Sequence, residues 1–184
     1  GAGFDFARYD NAASAVAVSL LAGSGSAGEA SGDVLVGVEG LVGSAFGDTL
    51  VGDGGNNTLY AQAGADTLRG GGGQDLLYGG AGADRFVYAA LSDSTASTAD
   101  GLFDFSLAEG DRVDVSAIDA NSGLGGDQAF VLTGAFSNQA GQAVLTYDGV
   151  NNNTKLSLDA DGDGLADFVL FLTGQVTASE AFIF

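Results

Sequence analysis

Residues 43 to 87 divide without remainder into five nine-residue units: GSAFGDTLV, GDGGNNTLY, AQAGADTLR, GGGGQDLLY and GGAGADRFV. Two positions hold register through all of them. The sixth is Asp48, Asn57, Asp66, Asp75 and Asp84; the eighth is Leu50, Leu59, Leu68, Leu77 and Phe86. A flexible Gly-rich linker has no reason to keep an acid, or its amide, and a large apolar residue in phase. A fixed period of this kind marks a repeat architecture. An earlier unit, VLVGVEGLV (34–42), keeps Gly37, Glu39 and Leu41 at the fourth, sixth and eighth positions and reads as a decayed repeat.

The first six residues of a unit place Gly where a turn needs positive φ or close backbone approach. The last three, such as TLV, TLR and LLY, suit a short strand whose middle residue points inward and whose neighbours point outward. Alternating turn and strand winds the chain into a solenoid with two units per coil and a continuous stack of eighth-position side chains. Asp48, Asp66 and Asp84 then form one row and Asn57 and Asp75 the other. Carboxylates about one strand spacing apart, roughly 5 Å, repel unless a cation lies between them. Carboxylates and turn carbonyls together make an all-oxygen cage, which suits calcium better than the strictly octahedral magnesium.

Composition agrees with this. There are 24 Asp and Glu against 5 Lys and Arg, a net charge of −19, which excludes the usual basic nucleic-acid binder and attraction to anionic membranes. The absence of His and Cys removes the common zinc, copper and haem sites, Cys nucleophiles, Ser-His-Asp triads and disulfides. No run of about 18 apolar residues, the length of a membrane-spanning helix, is present, and the opening residues are not expected to be a Sec-type signal peptide. The opening Gly1-Ala2-Gly3 lacks an initiator Met, as expected of a piece of a longer chain.

The units resemble the RTX nonapeptide, GGxGxDx-(large apolar)-x, of the calcium-binding parallel β-roll. The match is good in the fourth and fifth units, fair in the first and third, and poor at Asn57. The resemblance implies an ion between successive turns on one side, held by the sixth-position side chains and backbone carbonyls. That places one ion between Asp48 and Asp66, one between Asp66 and Asp84, and a weaker one between Asn57 and Asp75. The implied carbonyls are those of Gly43 and Ala45 in the first unit and Gly52 and Gly54 in the second. Ala61, Ala63 and Gly64 supply them in the third, Gly70, Gly72 and Gly73 in the fourth, and Gly79, Ala81 and Gly82 in the fifth. The stretch from Phe86 to Asn121 resembles the C-terminal domain of serralysin-type metalloproteases, a likeness that covers most of residues 43 to 184. By the same resemblance Asp104, Asp111 and Asp114 are candidate ligands at the end of the roll. The terminal Glu180-Ala181-Phe182-Ile183-Phe184 resembles the secretion signal of type I substrates, or else forms a last edge strand.

The expected fold is all-β: lead-in coils over 1–42, an RTX β-roll over 43–87, and an antiparallel β cap with the C-terminal signal over 88–184. Short apolar runs at 102–105, 112–115, 129–133, 143–147, 155–158 and 167–172 supply the cap strands. Within it, DADGDGLAD sets Asp159, Asp161, Asp163 and Asp167 at offsets 1, 3, 5 and 9 of an EF-hand-like loop. The bidentate acid at offset 12 is replaced by Leu170, and no helices flank the loop, so an acidic hairpin tip is the alternative. No HExxH or GxSxG motif is present, and no catalytic activity is expected. The resulting expectation is a calcium-binding module of a secreted, extracellular bacterial protein, passed by a type I ABC transporter and folded by calcium. Two rivals are a polysaccharide-binding roll module of the alginate-epimerase kind and a surface-layer or adhesin module that self-assembles. The polysaccharide reading gains if two or three of Arg8, Arg69, Arg85, Arg112 and Lys155 share a face.

Overall fold

The computed structural model describes residues 3–177 and 179–184; Gly1 and Ala2 of the lead-in segment and Ala178 lie outside the described residues. Before the repeats lie β1 (Phe6–Arg8), β2 (Ala17–Ser19), β3 (Ser24–Ala27) and β4 (Gly40–Val42). The last three residues of each unit then form β5 (Thr49–Val51), β6 (Thr58–Tyr60), β7 (Thr67–Arg69), β8 (Leu76–Tyr78) and β9 (Arg85–Val87). Beyond them come β10 (Asp100–Leu102), β11 (Arg112–Asp114), β12 (Val131–Thr133), β13 (Gln142–Asp148), β14 (Asn153–Asp159), β15 (Phe168–Thr173) and β16 (Phe182–Ile183).

Odd and even units separate onto two sheets, as two units per coil require. One sheet runs β1-β4-β6-β8-β10-β15-β14-β13-β12 and the other β16-β11-β9-β7-β5-β2-β3. Pairing within the roll is parallel, with Leu50 beside Leu68, Leu68 beside Phe86, and Leu41, Leu59 and Leu77 in line. All of these inward side chains are fully buried. The core between the sheets is therefore the stack that the eighth position dictates.

The parallel winding does not stop at residue 87. β10 pairs parallel with β8, Leu102 beside Leu77, and β11 pairs parallel with β9, Val113 beside Phe86. The nine-residue period hides this last coil because the inserted segments after β9 and β10 lengthen its turns. Asp100-Gly101-Leu102 and Asp111-Arg112-Val113 still keep the acid and the inward apolar residue two apart. The antiparallel part of the cap is β13-β14-β15, and it joins the roll through a parallel β10–β15 pair. β12 also pairs parallel, with β13. At the other side β16 lies parallel to β11, so the C-terminal residues form an edge strand.

Leu68 sits in the middle of its column, so its side chain has little room to be replaced by relaxation. We expect Leu68→Ala to cost about 2–5 kcal/mol, read as a lowered thermal midpoint by circular dichroism in saturating calcium. A change under about 1 kcal/mol would contradict a close-packed column.

Candidate metal-binding turns

Each sixth-position residue ends a turn just before its strand, and parallel stacking sets it beside its counterpart one coil away. On one side of the roll the backbone N–H of Val16 donates to Asp48 Oδ1 (2.7 Å), that of Asp48 to Asp66 Oδ1 (2.6 Å), that of Asp66 to Asp84 Oδ1 (2.9 Å), and that of Asp84 to Asp111 Oδ1 (3.0 Å). On the other side the N–H of Asn57 donates to Asp75 Oδ1 (2.8 Å) and that of Asp75 to Asp100 Oδ1 (2.8 Å). The structure thus assembles the two rows that the repeat predicts, and all of these side chains are buried.

The second carboxylate oxygens are the informative atoms. Oδ2 of Asp66, Asp75 and Asp84 is buried with no hydrogen-bond partner, whereas the buried Tyr88 hydroxyl lies beside the Asp100 carboxylate. Burial, opposed by the N–H donors and reinforced by neighbouring carboxylates, pushes Asp66 and Asp75 up to about 7 and Asp84 up to about 6. Burial and the adjacent Asp75 push Asp100 up to about 8. The backbone is shaped around these atoms: a Cβ on Gly70 would lie 2.1 Å from Asp75 Oδ2, and one on Gly79 2.3 Å from Asp84 Oδ2. Buried oxygens lacking donors, set against turn backbone with no nitrogen or sulfur ligand nearby, fit a hard cation held by oxygen.

Asp100 is the residue that repeat reading misses, since it lies 25 positions after Asp75 rather than 18. Its signal is the surviving Asp-x-Leu step. The junction acids behave differently. Asp104 accepts the N–H groups of Gly79 and Gly80, both at 2.9 Å, and Asp111 also accepts that of Ser106 (2.8 Å). Burial raises the Asp111 carboxyl. Asp114 binds Ser116 and the guanidinium of Arg85, which together hold its carboxyl below the ordinary range against the opposing effect of burial.

Several predicted carbonyls already accept protein donors: Gly43 from Gln62 Nε2, Gly52 from Leu21 N–H, and Ala81 from Gly64 N–H. The first-position residues Gly43, Gly52, Ala61, Gly70 and Gly79 are buried, whereas Ala45, Gly54 and Ala81 are exposed and Ala63, Gly64, Gly72, Gly73 and Gly82 half-buried. In the cap hairpin, Asp159, Asp161 and Asp167 offer oxygens within 4.8 Å of one another; Asp163 stands outside that group. Asp159 accepts the N–H of Gly162 and Gly164, Asp167 accepts that of Ala160, and Asp163 accepts that of Leu165. These acids fold their own turn. Glu180 and Ala181 lie in a short 3-10 turn, and Phe182 and Ile183 form β16. Phe182 stacks on Phe184 (5.7 Å).

Among the basic residues, Arg69, Arg85 and Arg112 lie on the same outward face, flanking the buried Leu68, Phe86 and Val113, and Arg85 is directly beside Arg112. Arg69 reaches Asp93 at 3.5 Å and Arg85 is bound to Asp114.

Fold and turns together define a parallel β-roll with buried acidic rows, closed by an antiparallel sheet. A family model described as Peptidase M10 serralysin C terminal matches residues 2–184, and the chain belongs to that family. It is 39% identical over 95 residues, 52% of this chain, to "Metallopeptidase AprA" of Pseudomonas marginalis. It is 35% identical over 98 residues, 53% of this chain, to "Serralysin C" of Dickeya chrysanthemi. The chain spans only 18% and 19% of the length of those relatives. The solved AlgE6R2 subunit of the Azotobacter vinelandii mannuronan C5-epimerase shares the fold, with a TM-score of 0.52 at 23% identity over 99% of this chain and 92% of that one.

A pH dependence follows from the raised carboxyls. In the folded, calcium-free chain they hold protons up to about 6 to 8, whereas in the unfolded chain they release them near about 3.9. The folded state therefore binds more protons between those values. The associated stability is complete below the unfolded value and is lost as pH rises through the folded ones. We expect the calcium-free chain in a chelator to gain β signal by circular dichroism as pH falls from 8 to 5. A β signal that falls over that interval would contradict the buried state of these carboxyls.

Proposed function

We propose that this chain is a calcium-binding, non-catalytic module of a secreted bacterial protein, folding when calcium reaches its acidic turns. The observation that carries the reading is the set of three buried carboxylate oxygens without donors, on Asp66, Asp75 and Asp84, with the buried Asp100 carboxylate in line beside Asp75. Bound calcium would supply positive charge to these oxygens and to turn carbonyls. The chain's own residues do the rest. The backbone N–H groups orient each carboxylate through Oδ1, and the first-position glycines leave room beside Oδ2. The inward column from Leu50 to Phe86 holds the coils at one strand spacing. Because the site is assembled only in the folded chain, binding energy becomes folding energy.

Affinities in the range of extracellular calcium modules, about 10⁻⁴–10⁻³ M, would leave the chain unfolded in a low-calcium cytosol and fold it after export. Its family membership, lack of Cys and acidic composition support passage through a type I ABC transporter, with Glu180 to Phe184 as part of the recognised tail. A second reading, binding of an acidic polysaccharide, draws on the shared face of Arg69, Arg85 and Arg112. Asp93 and Asp114 already offset two of those charges, which ranks it second.

The test is far-UV circular dichroism with calorimetric calcium titration. We expect a chain with little β signal in EDTA that gains it cooperatively as calcium is added. Equal β content with and without calcium, and no binding heat, would overturn the reading. Retention on an alginate matrix that Arg85→Ala and Arg112→Ala abolish would instead favour the second.

A further inference from the structure

The five turns of the repeat are not equivalent, although their sequences align. In the third, fourth and fifth units the second residue is left-handed: Gln62 at φ 82°, Gly71 at 97° and Gly80 at 90°. The fourth residue is too, with Gly64 at 144°, Gly73 at 104° and Gly82 at 130°. The corresponding residues of the first two units, Ser44 and Phe46, and Asp53 and Gly55, do not have positive φ. The consequence is visible in the hydrogen bonds. With Ser44 and Asp53 in the ordinary region, their N–H groups fold back onto the sixth side chain of their own unit. Ser44 N–H donates to Asp48 Oδ2 (2.5 Å), and Asp53 N–H donates to Asn57 Oδ1 (2.7 Å).

The closure goes further in both units. The Ser44 hydroxyl donates to Asp48 Oδ1 (2.8 Å), so that carboxylate has donors on both oxygens. Asn57 Nδ2 donates to the Glu39 carbonyl at 3.2 Å. The oxygen that faces the first-position glycine, Oδ2 of Asp48 and Oδ1 of Asn57, thus receives a backbone N–H of its own turn, where Asp75 Oδ2 and Asp84 Oδ2 receive none. Each is a protein-supplied partner in the position where the later turns lack one.

We propose that the first two turns of the roll, closed by Ser44 and by the Asn57 amide, hold no ion, and that calcium binds only from the third unit onward. The proposal rests on the calcium-binding reading above and reverses two expectations drawn from the repeat: the ion between Asp48 and Asp66 with Asp48 as a ligand, and the ion between Asn57 and Asp75 with Asn57 as a ligand. Asn57 is an ion substitute rather than a weak ligand. The lead-in coil is thereby joined to the roll by hydrogen bonds whose strength does not depend on calcium.

Calcium stoichiometry by isothermal titration on the full 184-residue chain tests this, with circular dichroism to confirm the calcium-loaded fold. Asn57→Asp is expected to add one calcium per chain, because it converts a satisfied amide into a carboxylate with a donor-free oxygen. Asn57→Ala is expected to leave the stoichiometry unchanged while lowering the thermal midpoint. Asp66→Asn, at an ion-bearing turn, is expected to lose one calcium. Loss of an equivalent in Asn57→Ala, or no gain in Asn57→Asp, would overturn the proposal while leaving calcium binding by the module intact. A wild-type chain that takes up no calcium would overturn the underlying reading itself.

Discussion

A carboxylate oxygen buried without a donor is the constraint on which the roll depends. The apolar column and the acidic rows are set by one spacing: drawing coils together to pack Leu59 against Leu77 also draws Asn57 against Asp75 and Asp75 against Asp100. An unmet buried hydrogen-bonding group costs about 1–3 kcal/mol, and more when charged. Three such oxygens, with a net charge of −19 behind them, set a penalty comparable with the whole stability of a small domain, about 5–15 kcal/mol. The coils cannot relieve it by separating, because separation would expose the column. Relief comes from protonation or from a cation, and at neutral pH and above only a cation serves all of them.

The repeat made much of this legible. A sixth-position acid and an eighth-position Leu in phase are enough to give two sheets, the inward column and the two rows, and each of these stands as read. The limits of the roll were less legible, because period is a poor guide once insertions enter. Asp100 and Asp111 end turns of irregular length, and only the Asp-x-apolar step betrays them. The two classes of turn were not legible at all. Ser44 and Asp53 occupy a position that is Gln62, Gly71 or Gly80 elsewhere, and nothing in those letters announces which backbone conformation each adopts. Gln62 shows the difficulty, since it takes the left-handed conformation that glycine would favour.

The acids of DADGDGLAD show the converse. Their spacing matches a known calcium loop, and three of them do converge. Yet Asp159 and Asp167 spend their oxygens on the N–H groups of Ala160, Gly162 and Gly164, as acids in a tight turn between antiparallel strands ordinarily do. Spacing alone counts possible ligands; the state of the second oxygen distinguishes a turn that is complete from one that is not.

The same criterion explains how the roll ends. At its far side Asp104 is met by Gly79 and Gly80, and Asp111 by Asp84 and Ser106, so the last coil is closed by backbone donors. The sheet then passes without a break into the cap, with Leu102 beside Leu172 and Asp100 beside Leu170. A solenoid whose neighbours interact only in sequence needs ends that are stable without a further coil. Here both ends meet that need with hydrogen bonds: Ser44 and Asn57 at the start, Asp104 and Asp111 at the finish. The donor-free carboxylates of Asp66, Asp75 and Asp84 lie between, each with a coil on either side, and Asp100 in the last coil is flanked by the cap strand β15. Buried carboxylate oxygens without a protein donor thus lie where coils pack on both sides, and the parts exposed to fraying carry bonds internal to the protein.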